Sequence, residues 1–139
     1  QGLPFEAQAE EIRQFTERYN VTHIGIDGTG IGEAVGELVR KFFPAVVVHT
    51  YSAGFKRLLV MKALMLIRAG RLEYDAGLMA LVNSFMTVRR VVTPGGTLTY
   101  ESDRSRGSNH GDLAWSAMHA LFNEPLGAEA DGNGFVMEF

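Results

Sequence analysis

The chain has 139 residues, of which 46% are apolar, with 13 Lys+Arg against 16 Asp+Glu, a formal net charge of −3 and no cysteine. This is one domain by length, with apolar residues enough for a core. The missing cysteines exclude disulfides, thiolate metal sites and cysteine nucleophiles, and the acidic balance leaves any nucleic-acid contact to a local basic patch.

From the N-terminus, Phe5, Ala9, Ile12, Phe15 and Tyr19 recur at helical spacing, which predicts a first helix with Asn20 as its stop. VTHIGID (21–27) reads as a buried strand. In IGEAVGELVRKFF, Ile31, Val35, Leu38, Val39 and Phe42 form one stripe, a second helix that Pro44 ends. AVVVHT is a second short strand, rich in branched residues. FKRLLVMKALMLIRAG is a third helix stopped by Gly70. Apolar side chains nearly encircle it, which predicts cover on more than one side. Asp75 is placed to cap a helix from about Ala76 to Met86.

Val91-Val92 and Leu98-Thr99-Tyr100 flank Pro-Gly-Gly, the pattern of a β-hairpin. DRSRGSNHG is polar and reads as a loop. DLAWSAMHALFNEP is a last helix with Trp115, Met118, His119 and Phe122 on one face. From Gly127 the composition turns to Gly, Ala and acids, so residues 127–139 are expected to be a flexible tail behind one domain at 1–126. No apolar run approaches the ~18 residues of a membrane span, and the N-terminus lacks the basic and apolar regions of a signal peptide.

This order of elements predicts an α/β fold, with the two apolar strands parallel and joined by a right-handed crossover. Two strands are few for such a sheet. Either the hairpin extends it, or further strands lie upstream of Gln1.

Asp27 stands at the carboxyl end of the first strand, where ligands gather in open parallel sheets. It enters a glycine-rich turn, IGIDGTGIG, that is spaced unlike a phosphate-binding loop. Asp27, or Thr29, can cap the next helix, or Asp27 can bind a metal ion. Asp112 opens the last helix and faces the same choice: a partner of an Asn109 cap, or a metal ligand. Arg89, Arg90, Arg104, Arg106 and His110 lie close in sequence, either as a solvated charged surface or as phosphate-binding cations beside a carboxylate pair. His23, His49 and His119 sit in or beside apolar elements and are expected to be packed and hydrogen-bonded rather than ligands.

From Phe5 to Leu126, the run IGIDGTGIGEAVGELVRKFFP, then a strand, a basic-apolar helix, RLEYDAGLMALVNSFMTVRR, a hairpin and SNHGDLAWSAMHALFNEP resembles the C-terminal nuclease domain of the large (ATPase) subunit of bacteriophage and prophage terminases. The paired signatures I-D-x-T-G-I-G and H-x-D-L-A-W carry the likeness together and are weak apart. The resemblance implies a ribonuclease H-like fold and metal-dependent endonuclease cleavage of concatemeric double-stranded DNA, that is, joined genome copies, during packaging in the bacterial cytoplasm. It also implies an N-terminal ATPase domain in the same polypeptide, with portal and small terminase subunit as partners.

By the same resemblance, the family's middle acid falls on Asp27 and its last on Asp112, as ligands of Mg²⁺ or Mn²⁺, two ions in the intact domain. His110 is carried over only as a candidate catalytic residue. The first acid belongs to an opening strand that nothing before Phe5 supplies. The expectation is therefore a fold incomplete at its N-terminus, with residues 1–139 weak or inactive alone. The rival reading is a non-catalytic DNA-gripping or docking module in which both carboxylates only cap helices.

Overall fold

Pro4, at φ −53° and ψ 153°, leads into α1 (Phe5–Arg18) in the computed structural model, which describes residues 4–103 and 111–126. The chain divides into two compact units, Gln1–Tyr51 and Ser52–Phe139.

In the first unit, α1 packs on α2 (Gly32–Arg40). Between them in sequence lies β1 (Gly25–Asp27), which pairs in parallel with β2 (Val47–His49). Strand, helix and parallel strand thus form the predicted crossover unit. Its core is Ala9, Val35, Val39 and Val46, flanked by Ile12, Ile24 and Ile26. Val39 is wholly buried, which stabilises the unit by roughly 1.5–3 kcal/mol. The outer ends of the predicted stripes are exposed, with Phe15 at 58% and Ile31 at 49% accessibility. On α1, Arg13 pairs with Glu10 and Glu17, the i,i+3 and i,i+4 contacts that support an exposed helix face. The helix ends at Arg18 with Tyr19 in extended conformation, one residue before the expected Asn20.

In the second unit, α3 (Ala53–Arg68) begins at Ser52, whose Oγ accepts the Phe55 N–H at 3.1 Å. That bond satisfies one of the unpaired N–H groups at a helix start. The helix ends at Gly70, at φ +68°. Arg71 N–H donates to the Leu66 carbonyl and Gly70 N–H to that of Ile67, both at 3.0 Å. This paired closure needs a left-handed residue, hence glycine.

The remaining elements are α4 (Met79–Met86), the antiparallel strands β3 (Val88–Val92) and β4 (Leu98–Ser102), and α5 (Asp112–Phe122). α3 packs on α5 and β4, burying Leu59, Ala63 and Leu66, and α5 contributes Ala114, Ala117, Met118 and Leu121. The hairpin forms a separate two-stranded sheet and does not extend the parallel pair. α5 and β4 cover α3 on more than one side, as expected, but not all round: Leu58, Met61 and Met65 are 55%, 48% and 51% accessible. α4 starts three residues later than expected, because Asp75 closes a turn on the Gly77 N–H at 2.7 Å instead of capping a helix. Glycine in that turn disfavours earlier helix. Among the described residues, no helix is long and apolar enough to cross a membrane.

Candidate active site

β1 delivers Asp27 to its carboxyl end, and α2 starts immediately against that end. A Cβ at Gly32 would lie 1.6 Å from the Asp27 carbonyl oxygen. Only glycine permits this approach, so the helix start fixes the backbone of Asp27. The side chain is exposed, and Oδ1 accepts the Thr29 N–H at 2.9 Å, closing a local turn. Neither Asp27 nor Thr29 caps α2: its N-cap is Ile31, which makes no side-chain cap bond. The helix-capping reading of Asp27 therefore loses its ground. The carboxylate ends a strand with one local hydrogen bond among the described residues.

Across the ladder, Asp27 stands opposite His49, and the Gly28 N–H donates to the His49 carbonyl at 2.9 Å. Burial first, and then the nearness of His23, hold the His49 pKa below its ordinary value. Both lower the cost of the neutral ring relative to the charged one. His119 is buried on α5, with its ring edge-on to Phe55 at a centroid distance of 5.8 Å, as expected of a packed histidine.

Asp112 lies in the first turn of α5, where the macrodipole favours an anion. It is exposed and has no hydrogen-bond or ion-pair partner among the described residues. The expected cap, Asn109, lies outside those residues, as do the candidate site residues Arg104, Arg106 and His110. The N-cap position is Gly111, which has no side chain to offer. The bond comes from α4 instead: Ser84 Oγ accepts the Ala114 N–H at 2.8 Å. Ser84 sits mid-helix with no cap signature around it, so a reading of local patterns passes over it. Trp115 Nε1–H donates to Ser102 Oγ at 2.7 Å, tying α5 to β4.

On the hairpin, Arg89 and Arg90 are both exposed. Arg89 Nη2 is 2.9 Å from Asp103 Oδ2, a diagonal cross-strand pair that partly engages this guanidinium. Among the described residues, no group of three or more His, Cys, Asp or Glu side chains comes together as a ready metal site. What the described residues offer are single carboxylates at the ends of elements, each with oxygen to spare.

Residues 1–124 match the family described as Terminase RNaseH-like domain. The chain is 49% identical over 128 residues to the terminase ATPase subunit of Escherichia phage P2, covering 91% of this chain and 22% of that protein. It is 33% identical over 127 residues to the probable terminase ATPase subunit of Haemophilus phage HP1 (strain HP1c1), covering 90% and 21%. The chain thus spans about a fifth of the length of these curated relatives. The crystal structure of the large terminase nuclease from thermophilic phage G20c with bound magnesium superposes with a TM-score of 0.72 at 18% identity, covering 88% of this chain and 63% of that one. At that identity the likeness is one of fold, and it agrees with the mixed helix and strand order described above. The chain belongs to the terminase RNase H-like domain family.

Proposed function

We propose that this chain is the nuclease domain of a terminase large subunit, a divalent-metal-dependent endonuclease that cuts concatemeric double-stranded DNA during genome packaging. The observation that carries the reading is Asp27: an exposed carboxylate at the carboxyl end of a parallel strand, with its backbone fixed by Gly32 and no helix to cap.

Carboxylate oxygens suit hard divalent cations, so the donor chemistry of Asp27 and Asp112 fits Mg²⁺ or Mn²⁺. Ions held there would supply activation of water and stabilisation of the leaving oxygen. The residues' own tasks are simpler. Asp27 and Asp112 supply anionic oxygen from rigid element ends. His110 is assigned to hold or orient water beside Asp112. Arg89, Arg90, Arg104 and Arg106 are assigned to phosphates, a sequence-independent grip. The partners in this reading are double-stranded DNA, an ATPase domain of the same polypeptide, the portal and the small terminase subunit, all in the host cytoplasm.

Two carboxylates carry too little charge to hold two divalent ions against their mutual repulsion. Residues 1–139 alone should therefore bind one ion weakly and cleave DNA poorly. Titration with Mn²⁺, read by electron paramagnetic resonance, tests the assignment. Asp27→Asn and Asp112→Asn should each abolish the weak binding. Binding that is unchanged in both variants would favour a non-catalytic DNA-gripping or docking module.

A further inference from the structure

The first turn of α5 is held by groups from outside the helix. Ser84 is 1% exposed, and its Oγ is the acceptor for the Ala114 N–H, two residues after Asp112. Gly111, directly before Asp112, is pressed against β4: a Cβ there would lie 2.0 Å from Ser102 Oγ and 2.3 Å from Ser102 Cβ. Ser102 Oγ in turn accepts the Trp115 Nε1–H. The backbone on both sides of Asp112 is thus clamped, by α4 from one direction and by β4 from another, while the carboxylate itself stays exposed. A buried hydroxyl in mid-helix is an expensive place for a polar group unless its bond is kept. The bond it keeps is to the helix that carries Asp112.

We propose that Ser84 is a positioning residue for Asp112, fixing the first turn of α5 so that the carboxylate is presented in one orientation to a divalent cation, with the Gly111–Ser102 contact as the second half of the clamp. This rests on the reading of Asp112 as a metal ligand. Groups one bond removed from a metal ligand commonly change metal affinity by about 10–100-fold when they are lost. Ser84 bonds the backbone two residues from Asp112 and not the ligand itself, so an effect below that range, a loss of a few-fold, is expected.

The test is Mn²⁺ binding to the intact polypeptide, by calorimetry and by the paramagnetic resonance spectrum of the bound ion, with thermal melting run alongside. Ser84→Ala should weaken Mn²⁺ binding a few-fold and broaden the bound-ion spectrum. Gly111→Ala should act in the same direction. Leu81→Val, a core change on the same helix, should lower the melting temperature without moving the Mn²⁺ affinity. Wild-type affinity in Ser84→Ala, while Asp112→Asn loses binding, would overturn the positioning role and leave the ligand assignment standing. Equal weakening in Leu81→Val would also overturn it, by showing that loosening the unit in general has the same effect. Unchanged binding in Asp112→Asn would remove the ligand assignment, and the role of Ser84 with it.

Discussion

At the scale of single residues, Gly32 has the least latitude of any position near the candidate site. Its hypothetical Cβ falls 1.6 Å from a backbone carbonyl, which cannot swing aside as a side chain can. Gly32→Ala must therefore push α2 away from β1. Overpacking of this kind costs about 1–3 kcal/mol or more, and the expected result is a melting temperature lower by several degrees. An unchanged melt would mean that α2 does not sit as described. His49 gives a pH signature. Its folded-state pKa lies below the ordinary value, chiefly through burial. Below about pH 6.5 the unfolded chain takes up a proton that the folded chain resists, so stability is held at higher pH and falls as pH drops through that region. His49→Gln should reduce the fall, measured as urea midpoints at about pH 7.5 and about pH 5.5. An identical pH dependence in the variant would assign the effect to other groups.

At the scale of elements, the hairpin carries two exposed arginines, Arg89 and Arg90. Arg89 is half committed to Asp103, and an ion pair this exposed is worth roughly 0–1 kcal/mol, so both arginines remain available to phosphates. Replacing Arg90 with alanine should weaken DNA binding to the same degree on unrelated sequences and flatten the salt dependence by about one unit. A preserved slope would reduce the hairpin to a solvated face. The elements also show why some features were legible in sequence and others were not. The end of α3 was readable at Gly70 because its closure uses only residues from Leu66 to Arg71. The hairpin was readable from its turn, and its strands run longer than the branched residues alone suggested. The cap of α5 was not readable, because its acceptor, Ser84, is 30 residues away in sequence. The start of α4 was misread because an aspartate that bonds an N–H two residues on makes a turn with the same residue type that caps a helix. Asp27 shows the same ambiguity at the site itself. Its position at a strand end was legible, but whether it caps α2 needed the observed partner, Thr29.

At the scale of the whole molecule, the parallel pair β1 and β2 with its crossover helix is the part of an RNase H-like fold that places Asp27, and the unit from α3 to α5 places Asp112. The net charge of −3 means that any DNA binding would have to come from a local basic patch rather than from the overall field. The central claim is that Asp27 and Asp112 carry metal-dependent cleavage. The most direct measurement is nicking of supercoiled plasmid in Mg²⁺ or Mn²⁺ by the intact polypeptide, by residues 1–139 alone, and by the intact Asp27→Asn and Asp112→Asn variants. The expected result is cleavage by the intact protein, little or none by residues 1–139, and none by either variant, with melting temperatures preserved. Full cleavage by both variants would contradict it.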